Sequence, residues 1–240
     1  MTSYEVRLKG REDLAEGTMA FHFEKPSGFS FKPGQAIDVI LTAAPTTDTQ
    51  SARHTFSIVS ASFQDELVVA TRMRDSAFKR ALKSLSIGSP ANLEGPFGSL
   101  TLHSDRVRPA IFIAGGIGVT PFMSILRQAA KDQLSQRLLL LYSNRRPEDA
   151  AFLSELQELE RQNTNFRLVA TMTGMSKSNR PWDGERSLID EGLINRVRDD
   201  LAAPIYYLAG PPAMVNAVRQ TLNRTGMNDD DIRSEEFYGY

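Results

Sequence analysis

The sequence predicts two domains: an N-terminal antiparallel β-barrel carrying one helix over residues 1–105, and a C-terminal doubly wound parallel α/β sheet over 106–240. Three observations carry this. Short alternating apolar runs separated by turn signals fill the first part. Four continuous apolar runs follow Pro109, and a helical stretch comes after each.

In the first part, Tyr4-Val6-Leu8, Met19-Phe21-Phe23 and Ile37-Val39-Leu41 alternate as half-buried strands do, and Lys32-Pro33-Gly34 marks a turn. One helix interrupts them: Phe78, Ala81, Leu82 and Leu85 fall at helical spacing, with Ser76 placed to cap the start. Ala43–Ser51 reads as a mobile loop. The style changes near Ser104–Pro109. Ala110–Ala114, Leu138–Tyr142, Phe166–Met172 and Ile205–Ala209 are apolar on both faces, as in a covered parallel sheet. Helices are expected over roughly 121–131, 148–161, 186–199 and 212–225. No repeats or low-complexity stretches occur.

Composition narrows the function classes. A net charge of −1 argues against a protein that tracks nucleic-acid phosphates. With no cysteine, these residues cannot supply a disulfide, a thiolate nucleophile or a cysteine-ligated iron–sulfur cluster. Three scattered histidines (His22, His54, His103) make a histidine-rich metal site improbable. No apolar run approaches the roughly 20 residues that span a bilayer. The polar N-terminus lacks an apolar signal core, so a cytoplasmic protein is expected, with no stable membrane insertion.

The most informative segment is Gly115-Gly116-Ile117-Gly118-Val119-Thr120-Pro121, which runs from a buried strand into a helix. Thr120 is placed to cap that helix, and Pro121 suits its first position because it lacks an N–H. Phe122, Ile125, Leu126, Ala129 and Ala130 then form one apolar face. Glycines between a strand and a helix start let the backbone approach an anion, and the helix dipole favours pyrophosphate. A tight turn that binds nothing would carry the same glycines, and the strict G-x-G-x-x-G pattern is absent.

Five motifs in order bear on this choice: Phe31-Lys32-Pro33-Gly34-Gln35, Arg53-His54-Thr55-Phe56-Ser57-Ile58-Val59-Ser60, Gly95-Pro96-Phe97-Gly98, Gly115–Pro121 and Ala209-Gly210-Pro211-Pro212-Ala213-Met214. Together they resemble the ferredoxin–NADP reductase-like flavoproteins, across essentially the whole chain. The second is similar to the family's flavin strand R-x-Y-[ST]-x-x-S, the third to a turn closing the barrel, the fourth to its G-G-x-G-x-T-P nicotinamide loop and the fifth to C-G-P-x-x-M. The resemblance implies FAD or FMN in the barrel, FAD being the family expectation, and NAD(P)H on the sheet. It implies Phe56 against the flavin ring and Ser57 near flavin N5, the hydride acceptor. Thr55 alternates to the opposite face, in a structural place on the flavin strand. The segment Thr71, Arg72, Met73, Arg74, Asp75, Ser76, Ala77 and Phe78 would hold the flavin's edge and phosphates. Gly210, Pro211 and Met214 would meet the nicotinamide.

Three departures from the family pattern stand out. The arginine expected two residues before the aromatic is His54, with Arg53 one place earlier, so either could meet the flavin phosphate. The family's cysteine near the nicotinamide is Ala209. The aromatic that family members place over the flavin could be Phe237, Tyr238 or Tyr240. After the second parallel strand, Asn144-Arg145-Arg146 lacks the acidic residue that binds the ribose of NAD, and an arginine there suits the 2′-phosphate of NADPH, whereas a solvated arginine pair is the plain alternative. Thr171 follows the third strand in reach of the same cofactor.

The resemblance implies hydride transfer from nicotinamide to flavin and onward passage of electrons to a partner redox protein or a small oxidant, with the cofactors carrying the chemistry. A reductase of free flavin or another small acceptor is a second enzyme reading. A non-catalytic nucleotide-binding module on the same fold is a third.

Overall fold

A computed structural model describes residues 2–42, 52–198 and 201–238; the Ala43–Ser51 loop and Tyr240 lie outside them. The chain forms two compact units. One contains the residues up to Thr101 together with Thr120–Gln128, the other Leu102–Val119 together with the residues from Ala129 onward.

The first unit is built on β1 (Ser3–Ala15), β2 (Thr18–Glu24), β3 (Ala36–Ile40), β4 (Arg53–Ser57), β5 (Glu66–Arg72) and β6 (Pro90–Phe97), in the antiparallel order β4-β3-β6-β1-β2-β5. The two ends of this sheet meet. Ile58 bridges Val69, and Val59 N–H donates to Val68 O at 2.8 Å, so the sheet curls into a barrel. Alternate residues Val6, Leu8, Phe21, Phe23, Ile37, Val39, Leu67 and Val69 fill its core. The turn at Gly34 needs a glycine, because φ is +97° and a Cβ would lie 2.2 Å from Leu100 O. Gly95-Pro96-Phe97 departs from the expected turn: these residues end β6, and the chain turns only at Gly98, with φ +95°. Helix α1 (Ala77–Ser84) is capped as anticipated, the Ser76 hydroxyl accepting from Lys79 N–H.

The second unit carries β7 (Ala110–Gly115), β8 (Leu138–Asn144), β9 (Phe166–Met172), β10 (Ile205–Gly210) and β11 (Ile232–Glu236), all parallel, in the order β11-β10-β7-β8-β9. One face packs Ile111, Ile113, Leu139, Leu141 and Leu208 against α4 (Glu191–Arg198) and α5 (Pro212–Arg224). Alternation sends Tyr142 to the other face, where its hydroxyl donates to Ala151 O, just before α3 (Leu153–Gln162). Helices on both faces make the sheet doubly wound. Buried His103 fixes the start of this unit: its ring lies 2.8 Å from the Tyr207 hydroxyl and 2.8 Å from the Gln136 amide.

Three local expectations are corrected. A 3-10 turn over Gly116–Val119 runs straight into α2 (Thr120–Lys131), so Thr120 is helical rather than its cap. Phe152 adopts φ +61°, which stops the helix expected from 148 and delays α3 to Leu153. Residues 186–190 are not helical, and α4 starts at Glu191. Strand β11 was not foreseen.

Candidate functional site

In the barrel, β4 pairs with β3, placing Thr55 opposite Asp38 and Phe56 opposite Ile37. Successive residues of β4 face opposite sides. Arg53 and Thr55 share one side, and both are held by buried Asp38. The Arg53 guanidinium donates to Asp38 at 2.6 Å and to Glu94 at 2.5 Å, and the Thr55 hydroxyl donates to Asp38. This clamp ties β4, β3 and β6 together. It leaves Arg53 committed to two carboxylates.

His54 and Phe56 share the other side. Phe56 is buried with its ring 4.7 Å from His54 and 5.9 Å from Phe78, and it belongs to the barrel core. Burial, and then the positive charge of Lys79, hold the His54 pKa below the ordinary imidazole value. Above that lowered value His54 is an uncharged aromatic surface and supplies no cation. At the end of β4 the Ser57 hydroxyl is buried with no hydrogen-bond partner among the described residues, a condition a native core rarely tolerates without a purpose.

The segment leading into α1 lies alongside. Thr71 is buried, Arg72 and Met73 are half-buried, and Met73 N–H donates to Gly17 O. Ser76 and Ala77 are exposed at the helix start, and Phe78 is buried. Sequence reasoning passed over Lys79, whose side chain is also buried. Its spacing of three from Leu82, on the buried face, was the available signal.

In the parallel sheet, β7 sends the chain to β8 on one side and lies beside β10 on the other, which is the switch point where such folds bind ligands at strand carboxyl ends. The loops after β7 and β10 meet there at backbone distance. A Cβ on Gly118 would lie 2.3 Å from Ala209 O, and one on Gly115 would lie 2.3 Å from Met214 Sδ and 3.1 Å from Pro211. Gly210, with φ +154°, closes on Gly115 in the same way. Gly116 differs: it needs glycine for its φ of +53°, and nothing stands within 4 Å of where a Cβ would be. Three glycines therefore bring the loops together, and the fourth leaves backbone open to approach. Thr120 and Pro121 are the first two residues of α2.

At the end of β8, the Asn144 side-chain nitrogen is the second buried polar side-chain atom without a partner among the described residues; the Asn144 backbone carbonyl accepts from the Thr173 hydroxyl. The neighbouring arginines behave differently. Arg146 is fixed by Asp149 through two bonds of 2.9 Å, whereas Arg145 is exposed and makes no ion pair or side-chain hydrogen bond among the described residues. Thr171 is buried, and its hydroxyl is spent on Ser187 O. Phe237 follows β11, its N–H donating to Gly210 O at 2.9 Å. Tyr238 is exposed, with its hydroxyl on Glu236.

Residues 112–220 match the family model of the oxidoreductase NAD-binding domain. The reductase component of propane 2-monooxygenase from Rhodococcus jostii (strain RHA1) is 29% identical over 89% of this chain and 57% of its own length. Ferredoxin–NADP reductase B of Sorangium cellulosum (strain So ce56) is 28% identical over 90% of each chain. The chain spans only 57–61% of the length of the first curated relatives it matches. In fold it is similar to a ferredoxin NADP+ reductase from Neisseria gonorrhoeae solved with FAD and NADP, with a TM-score of 0.80, 21% identity and 98% of each chain covered. In its matched NAD-binding region, in these relatives and in its barrel-plus-parallel-sheet architecture, the chain is similar to reductases of the ferredoxin–NADP reductase type.

Proposed function

We propose that this chain is an NAD(P)H-dependent flavoprotein reductase that takes hydride onto bound FAD and passes electrons to a partner redox protein. Residues 1–105 form the flavin-binding domain in this reading, and 106–240 the nicotinamide-binding domain. The observation that carries it is the pair of orphaned buried groups, Ser57 Oγ and Asn144 Nδ2, each at the end of a strand that the resemblance assigns to a cofactor. Both fit polar edges of bound nucleotides, and no other buried side-chain polar atom among the described residues lacks a partner.

When bound, the two cofactors supply the hydride and electron-transfer chemistry. The chain supplies position. Ser57 offers a hydroxyl at the flavin's reactive nitrogen, Phe56 and His54 supply apolar area that excludes water, and Thr71, Arg72, Met73 and Ser76–Phe78 line the nucleotide's edge. On the sheet, the backbone at Gly115, Gly116 and Gly118 receives the pyrophosphate, with Thr120 and Pro121 beginning the helix whose dipole faces it. Gly210, Pro211 and Met214 shape the nicotinamide's seat, Thr171 supports the same cofactor from β9 beside the end of β8, and Phe237, beside Gly210, is a described aromatic placed to gate it. Arg145, exposed and without an ion pair among the described residues, favours NADPH through the 2′-phosphate. A cytoplasmic setting belongs to the same reading, because the reaction needs a supply of NAD(P)H. No helix among the described residues is long and apolar enough to cross a membrane.

A second reading, in which flavin is an exchangeable substrate, draws on the engagement of Arg53 by Asp38 and Glu94. Gel filtration of the purified protein followed by identification of the released flavin separates the two. FAD retained in stoichiometric amount is expected. Colourless protein that quenches no added FAD would remove the flavoprotein reading.

A further inference from the structure

Lys79 is a buried cation of the barrel with no carboxylate partner among the described residues. It lies in the first turn of α1, its N–H donating to the capping Ser76 hydroxyl, and the residue as a whole is only 6% exposed. The ammonium makes one hydrogen bond, to Arg72 O at 2.9 Å, and has no carboxylate partner among the described residues. An ammonium has three donors, so two are left over. Burying a cation without a counter-charge is costly, and folded proteins seldom do it for stability alone. The neighbourhood makes it worse: Arg74 is close enough to disfavour the charge, and burial does so more strongly still. The Arg72 carbonyl does not require the lysine, since Arg74 N–H also donates to it at 2.9 Å.

The same corner of the barrel lacks a cation where the family pattern has one. His54 occupies the arginine position of the flavin strand, packs at a tilt on Phe56 and Phe78, and has its pKa held below the ordinary imidazole value by burial, while Arg53 is bound to Asp38 and Glu94. We propose that Lys79, on the helix instead of the strand, is the phosphate anchor of the flavin nucleotide, acting with the N-terminal turn of α1 that Ser76 caps. The proposal rests on the flavin reading above. It explains why a buried ammonium is kept without an ion pair, and how the chain does without the strand arginine.

The test is equilibrium binding of riboflavin, FMN and FAD to flavin-stripped full-length protein, followed by fluorescence quenching, for wild type, Lys79→Met and Lys79→Arg. Riboflavin carries the same ring without phosphate. Lys79→Met should weaken FMN and FAD by roughly ten- to a hundredfold and leave riboflavin unchanged, and Lys79→Arg should recover most of the loss. The flavin-free Lys79→Met protein should unfold in urea at the same or a higher midpoint, because the buried charge is gone. Unchanged FMN and FAD affinity, an equal loss for riboflavin, or a Lys79→Met protein that fails to fold would each overturn the proposal. Wild-type protein that binds none of the three would instead overturn the flavin reading, and the proposal with it.

Discussion

The two units build their candidate sites from different material. On the parallel sheet the site is backbone: Gly115, Gly118 and Gly210 bring two loops within a carbon atom's width, and Gly116 keeps the turn open. On the barrel the site is side chains on β4 and α1, where each must compete with its neighbours for partners. Asp38 and Glu94 capture Arg53, Asp38 also takes Thr55, Phe78 covers His54 and Phe56, and the Ser57 hydroxyl has no hydrogen-bond partner among the described residues. A backbone site tolerates almost no change at its glycines. A side-chain site can exchange one residue for another and keep its chemistry, which is how a lysine on a helix could do the work of an arginine on a strand.

The largest expected effect is on the backbone site. Gly118→Ala forces a Cβ to 2.3 Å from a carbonyl oxygen that cannot move aside, and should lower the stability of the second unit by about 2–4 kcal/mol and abolish nicotinamide binding. Gly116→Ala, with open space around it, should cost only about 1–2 kcal/mol for its left-handed φ. Urea unfolding of the two variants checks this, and equal losses would break the distinction between the packing glycines and the turn glycine. Next in size, Arg145→Glu should raise the KM for NADPH by roughly tenfold or more while changing that for NADH far less; the same shift for both would remove Arg145 from the 2′-phosphate. Ser57→Ala should slow flavin reduction by about tenfold with no loss of urea stability, since the hydroxyl has no partner to lose. A destabilised variant that reduces flavin at the normal rate would make Ser57 structural.

The smallest effect concerns pH. His54 and His103 both have pKa values lowered chiefly by burial. Each is neutral in the folded protein at a pH where the unfolded chain already binds a proton. Their contribution is therefore complete above about 6.5 and is lost as pH falls toward the lowered folded values. Thermal unfolding should show a stability decline below about pH 6.5, shallower in His54→Phe. A flat profile, or one unchanged by the substitution, would show that the His54 ring is not held neutral by its cluster.

Much of this was legible from residue order. Alternation located β1, β2 and β3, Ser76 with the 78-81-82-85 spacing located α1, and the glycine loop located the switch point. The missed features have physical reasons. Strand β11 (Ile232–Glu236) has a single apolar residue, because an edge strand beside β10 needs little burial of its own. The start of α3 depends on the left-handed backbone of Phe152, a conformation that no phenylalanine announces. The partners of Arg53 come from Asp38 and Glu94, distant in sequence and joined only by barrel register. The burial of Lys79 was masked by its residue type, which is ordinarily solvated.

The most direct test of the central claim is anaerobic mixing of the flavin-loaded protein with NADPH and, separately, with NADH, following the flavin's visible absorption. The account predicts bleaching within a turnover, faster with NADPH. Flavin that keeps its colour with both nucleotides would contradict it and leave a binding module on the same fold.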